Sequence, residues 1–338
     1  AYLRLRLSYE EDTAGSIMNS EYLSIPENLS VKEALAKLKE FNPPASEVSF
    51  YIFVVDHDKK LVGITTLRDL VIAPETAKVK DFRDDYPIKV TYDKDQEEVA
   101  RLFQKYDLIV LAVVDEQDHL MGVITVDDVV DVVVEEATED LYKLSGTTEV
   151  EEEKLLAGNI LIPVFSRLPW LIVTVFGGVL ASYIINRYSI RFSSSIFSLS
   201  LSLSFVPLLM GLAGNVGNQS ATITVRGLAT GLIKTEASLS FLFRELIVGK
   251  LIGLITALFV YSVAIFFKFE HTISLIVAVS LYVNIVVAAV IGGVLPLIFK
   301  QLKIDPAVAS APFISTALDN SGQIIYFSIT VYFLATFT

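Results

Sequence analysis

Charge and apolar character are divided so unevenly along these 338 residues that the two halves cannot share one kind of fold. Residues 1–166 carry 17 Lys+Arg against 34 Asp+Glu, a net of −17, whereas residues 167–338 carry 10 against 5, a net of +5. Five apolar runs occupy the second half, at 168–188, 196–221, 242–267, 273–299 and 308–337. Each approaches or exceeds the roughly 20 residues that a helix needs to cross a bilayer. The expected architecture is therefore a soluble first half followed by an all-α transmembrane domain of five helices, a multi-pass protein of the cell membrane. With the acidic half in the cytosol, the inward flanks hold Arg167, Arg226, Lys234, Arg244, Lys300 and Lys303, and the outward ones Arg187, Arg191 and Lys268. That bias places the N-terminal half in the cytosol and the C-terminus outside.

One residue breaks the fifth run. Asp319 is the only charged side chain in 307–338, and a carboxylate at the centre of a membrane helix costs about 2.5–3.5 kcal/mol unless it meets water, a partner or an ion. Pro312, Gly322 and the small or polar Ser315, Thr316, Asn320, Ser321 and Gln323 suit a segment lining a wet cavity. The second run carries Gly214-Asn215-Val216-Gly217-Asn218-Gln219-Ser220. A tight helix crossing accounts for these glycines but not for Asn215, Asn218 and Gln219 together.

Enzymatic chemistry finds little to work with. The chain has no cysteine and three histidines, His57, His119 and His271, without an HExxH or Ser/His/Asp arrangement. Aspartyl chemistry needs two carboxylates sharing a proton. Of the other acids after Arg167, Glu236, Glu270 and Asp305 fall at loops or ends, leaving Glu245 as the opener of the third run. No paired site at bilayer depth emerges, and no enzyme is expected.

The soluble half is built twice. Phe53-Val54-Val55-Asp56 to Gly63-Ile64-Thr65-Thr66-Leu67-Arg68-Asp69-Leu70 recurs, 59 residues on, as Ala112-Val113-Val114-Asp115 to Gly122-Val123-Ile124-Thr125-Val126-Asp127-Asp128-Val129. Each unit reads as an amphipathic helix (31–41; 97–106), a buried strand, a polar turn, a second strand and a helix start. Thr66 with Asp69, and Thr125 with Asp128, can act as plain helix caps. Between the repeat and the first span lies Glu135-Glu136-Ala137-Thr138-Glu139-Asp140. On a helix Glu136, Glu139 and Asp140 share one face at i, i+3 and i+4 and repel one another. A solvated face explains most such runs. A divalent cation, with Asp127, Asp128 and Asp131 adding oxygens, would also relieve the repulsion.

The Gly-x-x-Thr-x-x-Asp pattern after a buried strand resembles CBS domains, which occur in tandem and often bind adenosine nucleotides between the units. Arg167-Leu168-Pro169-Trp170-Leu171, the segment 214–220, Glu245, Leu295-Pro296, Asp305-Pro306-Ala307 and Asp319-x-x-Gly322 with Tyr326 are similar to MgtE magnesium channels. So are the two CBS units and the connector 136–140. The resemblance runs from about Asp12-Thr13-Ala14-Gly15 to the end of the chain.

The resemblance implies an α/β tandem CBS module at 16–134 (units 16–75 and 76–134), a connecting plug helix region at 135–166, and a pore domain at 167–338. It implies a homodimer in the lipid bilayer with a central pore lined by the second and fifth spans, passing divalent cations inward. Nucleic acid is not among the partners expected. Asp319 matches the carboxylate that recognises hydrated Mg2+, and Gly214 and Asn218 match positions that complete that site. Glu136, Glu139, Asp140 and Asp128 match acidic positions that sense cytosolic Mg2+ and close the plug. Thr66, Asp69, Thr125 and Asp128 match the ribose-holding positions, with ATP or another adenosine nucleotide as the tuning ligand. In two places the chain departs from the family. Residues 1–15 look like a remnant of an acidic helical domain that precedes the CBS pair in relatives, and Ala311 stands where the family often has Asn. The alternatives are a channel or carrier for manganese, calcium, cobalt or sodium, and a membrane-tethered nucleotide sensor in which Asp319 is structural.

Overall fold

The computed structural model describes residues 9–41, 50–85, 87–147, 161–189, 203–233, 238–309 and 311–337. It contains two compact units, residues 1–137 and 138–338.

The first unit holds two copies of one motif. Its elements are α1 (Ala14–Ile17), β1 (Ser24–Pro26), α2 (Val31–Phe41), β2 (Tyr51–Val55), β3 (Leu61–Thr66) and α3 (Leu67–Ile72), then β4 (Lys89–Thr91), α4 (Gln96–Tyr106), β5 (Val110–Val114), β6 (Leu120–Thr125) and α5 (Val126–Leu144). In each copy a short strand pairs parallel to the middle strand, which pairs antiparallel to the third, giving orders β1-β2-β3 and β4-β5-β6. Even the irregularity is repeated, with a register shift at Val54/Val55 and again at Val113/Val114.

The middle strands are buried along nearly their whole length, as continuous apolar runs with cover on both faces should be. One cluster joins the copies: Phe53, Val55 and Leu61 pack with Val110, Ala112, Val114, Leu120 and Val123. The turns also meet, through a bridge between Lys60 and His119. The residues ahead of β1 belong spatially to the second copy, since Thr13 pairs with Asp95 and Asn19 with Val123.

Helix α5 is continuous from Val126 to Leu144, so the acidic segment extends the last helix of the second copy and begins no new element. It ends at Gly146, whose φ of +76° favours glycine.

The second unit has five long helices among the described residues: α6 (Leu161–Ser189), α7 (Val206–Ala229), α8 (Ser238–Phe266), α9 (His271–Gln301) and α10 (Ala311–Phe337). Three of them, α6, α8 and α9, are long and apolar enough to cross a membrane by length and composition. Their bounds differ from the apolar runs. Helix α6 starts at Leu161, earlier than hydropathy suggests, and α7 starts only at Val206, where Pro207 supplies a first-turn residue that needs no amide partner. The first part of the second run, 196–202, lies outside the described residues.

Helix α9 is the hub of this unit, packing on α7, α8 and α10. Its contact with α7 is backbone on backbone, because a methyl added to Gly292 would strike the carbonyl oxygen of Gly217. Beside that crossing Ala213, Ala221, Ala288, Ile314 and Leu318 pack together, and a second core holds Leu209, Val277, Leu281, Ile285, Tyr326 and Phe327. Helix α6 packs on α10, with Gly177 against Thr316, and leaves Val175, Phe176 and Val179 exposed.

Candidate functional site

Asp319 lies nine positions into α10 on a partly exposed face, and no hydrogen bond or ion pair reaches its carboxylate among the described residues. Its surroundings follow from how α7 meets α10. The Asn218 amide nitrogen donates to Ser315 Oγ at 3.2 Å, Leu318 packs over Gly217, and Met210 packs over Gly322. Residue numbers fall along α7 as they rise along α10, so the helices run antiparallel. This register sets Gly214 level with Asp319 and Asn218 one turn nearer the start of α10.

A Cβ added at Gly214 would meet nothing within 4 Å, which leaves open space beside the backbone there. The Oδ1 of Asn218 is buried without a partner, as are Oδ1 of Asn320 and Oε1 of Gln323. Such oxygens are costly unless they meet water or a cation. Three sequence-predicted pore residues, Asp319, Gly214 and Asn218, are thus brought to one helix interface.

Sequence reasoning assigned Glu245 no partner. The structure buries it to 6% exposure and has Ser220 Oγ, itself on a residue 5% exposed, donate to its carboxylate at 2.8 Å. Ser220 is two residues beyond Asn218, so this bond helps set the rotation of α7 about its axis. The i and i+2 relation along α7 was visible, but which helix Ser220 faced was not.

The acidic face of α5 does not stand as three bare carboxylates. Gln96 Nε2 donates to Glu136 at 2.6 Å. Burial, reinforced by the nearby charges of Glu97, Asp95 and Asp12, nevertheless pushes the Glu136 carboxyl above its ordinary range. Glu139 pairs with Lys143 one turn on, and Lys143 Nζ also reaches Asp305 Oδ2 at 2.8 Å. Asp140 is partly buried one turn past Glu136. Gly146 packs on the ring of Pro312 at the start of α10, with Trp170 of α6 beside it. The end of α5 is therefore tied to the start of α10 through Asp305 and Pro312.

In the first unit both Thr–Asp pairs close a hydroxyl–carboxylate hydrogen bond, and Thr66–Asp69 also caps its helix. Thr66 Oγ1 donates to Asp69 Oδ2 at 2.6 Å and accepts from the Asp69 amide at 3.1 Å, while Thr125 Oγ1 donates to Asp128 Oδ2 at 2.7 Å. Capping is thus an observed role of the Thr66–Asp69 pair, and each pair leaves carboxylate lone pairs for another donor. Asp128 serves its cap from the first turn of α5, more than two turns before Glu136. A further group with metal-ligand spacing, Asp56, His57 and Asp58, lies on the β2–β3 turn, largely solvent-exposed.

A duplicated α/β module followed in the chain by a bundle of long apolar helices, with a carboxylate at a helix interface, defines a membrane transporter. Residues 206–329 match the model of the MgtE divalent cation transporter family, and residues 14–75 and 79–135 match the CBS domain. The Magnesium transporter MgtE of Bacillus subtilis is 33% identical over 332 residues, covering 98% of this chain and 72% of that protein. That of Thermus thermophilus is 37% identical over 321 residues, covering 95% and 70%. The chain belongs to the MgtE family, whose named members are transporters and not enzymes.

Among solved structures, the soluble part of a magnesium transporter is 38% identical over 40% of this chain and 52% of its own, with a TM-score of 0.38. The cytosolic domain of the Mg2+ channel MgtE in complex with ATP is 43% identical over 39% and 52%, with a TM-score of 0.37.

Proposed function

We propose that this chain forms a channel for Mg2+ in which Asp319 binds the hydrated ion. The carrying observation is that the one carboxylate of α10 is unpaired among the described residues and level with the open backbone at Gly214, one turn from the unsatisfied Asn218 oxygen. Magnesium releases water reluctantly and takes oxygen ligands in a near-ideal octahedron. Oxygens spaced to hold its hydration shell suit it, and the donor set, carboxylate, amide and carbonyl, is of the right chemistry. In a homodimer, two copies of Asp319 across a twofold axis would repel until a cation sat between them. With the soluble half in the cytosol and the C-terminus outside, a divalent ion would enter passively, at about 2.3 kcal/mol per charge per 100 mV of inside-negative potential.

Reconstituted protein should pass Mg2+, and Asp319→Ala should abolish or strongly reduce flux while dimerisation and folding persist. Normal conduction by that variant ends the pore assignment. Side-by-side flux of Mg2+, Mn2+, Ca2+ and Na+ separates a magnesium channel from a channel for another cation.

Helix α5 is read as the gate. Its tie to Asp305 and Pro312 supports a closed arrangement at the start of α10. Glu136, Glu139, Asp140 and Asp128 are read as the cytosolic Mg2+ sensors, with binding favouring the closed state by its differential affinity. Changing Glu136, Glu139 and Asp140 together should hold flux high at high cytosolic Mg2+. An unchanged response would return this face to a solvated helix surface. Thr66, Asp69, Thr125 and Asp128 are read as the holders of an adenosine nucleotide such as ATP, supported by the twice-repeated Thr–Asp geometry. Isothermal titration with ATP, repeated on Asp69→Ala and Asp128→Ala, tests this.

A further inference from the structure

Where α7 ends and α8 begins lies a cavity of about 780 Å3, open to the surface, that the transport site does not use. Arg226 and Arg244 both line it, together with the hydroxyls of Thr222 and Thr230 and the apolar Ile233 and Phe241. No Asp or Glu is among its described lining residues. Arg226 has an ordinary reason to be there, since a cation in the last turn of α7 complements the exposed carbonyl end of that helix. Arg244 has none. It stands in the second turn of α8, where the helix dipole gives it no support. Its sequence neighbour Glu245 accepts a hydrogen bond from buried Ser220 instead of pairing with it. Both arginines are exposed residues lining one cavity, so an anion seated there would be attracted by both positive charges.

The outer surface continues the cavity in apolar form. Val248, Leu251 and Ile255 follow Arg244 at helical spacing on α8 and are 36%, 57% and 69% exposed. A ligand fitting both parts has an anionic head for the arginines and a hydrocarbon tail for this stripe. We infer that this cavity binds the phosphate headgroup of an anionic phospholipid, whose acyl chain lies along α8. The site falls at the membrane end where the charge bias puts the cytosol. Arginine is suited to the task because its planar fork meets phosphate oxygens in pairs. The inference rests on this half lying in a bilayer and not on which ion the protein passes.

The full chain, purified in detergent, would be titrated with phosphatidylglycerol or with phosphatidylcholine of the same acyl chains, and bound lipid counted by native mass spectrometry. Wild-type protein should retain phosphatidylglycerol about tenfold better than phosphatidylcholine, and Arg226→Gln/Arg244→Gln should lose that preference. Arg187→Gln/Lys268→Gln, which removes two cations elsewhere on the same unit, should keep it. The site is refuted if the first double variant retains the lipid as the wild type does, or if the second loses it equally. Displacement of the lipid by millimolar inorganic phosphate alone would overturn the lipid assignment. Should the Gln pair fail to assemble, Arg226→Lys/Arg244→Lys keeps the charge and loses the fork. It should weaken retention about threefold, and unchanged retention there would refute the proposal.

Discussion

Removing the Ser220 hydroxyl is the sharpest test of how α7 is held. Ser220 and Glu245 are 5% and 6% exposed, and one hydrogen bond of 2.8 Å joins them. A hydrogen bond to a charged group contributes about 1.5–3 kcal/mol, and an orphaned buried acceptor costs its desolvation as well. Side-chain hydrogen bonds between membrane helices average only about 0.6 kcal/mol, with a maximum near 1.7, because the unfolded chain in lipid also finds partners. The geometry here, a carboxylate acceptor with both residues buried, belongs at the upper end. A double-mutant cycle of Ser220→Ala and Glu245→Ala should therefore give a coupling of about 1.5 kcal/mol, roughly a tenfold change in the folding equilibrium. The assay is reversible unfolding of the protein in mixed micelles. Magnesium flux through Ser220→Ala should fall as well, since Asn218 and Gly214 turn with the same helix. A coupling at or below about 0.6 kcal/mol would refute the reasoning and leave the pair as incidental neighbours.

Glu136→Gln should stabilise the ordered state of α5 near neutral pH. The folded carboxyl lies above its ordinary range, so its ionisation works against the fold once pH exceeds the unfolded value, and the penalty shrinks as pH falls below the folded value and is gone below the unfolded one. Hydrogen exchange of residues 126–144 should slow as pH drops in the wild type, after correction for the intrinsic rate, and should lose that dependence in the variant. Gly146→Ala puts a side chain at a φ of +76° and presses it on Pro312. It should cost about 1–2 kcal/mol locally and raise flux at high Mg2+, read in the same liposome assay; unaltered closure would show that this contact does not hold the gate.

Much of the fold was legible because its determinants are local. Val31–Phe41 and Gln96–Tyr106 carry a helical apolar period, and the strands between them are short buried runs bounded by turn residues, so the repeat appeared with its elements in place. The Thr66–Asp69 and Thr125–Asp128 contacts span only three residues each, so local spacing suffices to set them. The boundary of α7 was less legible, because hydropathy responds to apolar character and a helix start responds to Pro207 and its backbone partners. The reading of Glu136, Glu139 and Asp140 as mutually repelling neighbours omitted Lys143, although it lies four residues beyond Glu139 and was visible at that spacing.

By itself, the sequence determined that there are two halves, one acidic and duplicated and one apolar, and that Asp319 is a carboxylate needing an explanation. Those are properties of composition and period, set within a few turns of chain. Only the tertiary structure decided what each polar group faces. Asn218 reaches Ser315 across 97 residues, Ser220 reaches Glu245 across 25, and Lys143 reaches Asp305 across 162. Those pairings depend on how helices rotate and approach, as they do where Gly217 of α7 meets Gly292 of α9. A helix turns its side chains through about 100° per residue, so the same sequence on a helix rotated by one position would show Asp319 a different neighbour.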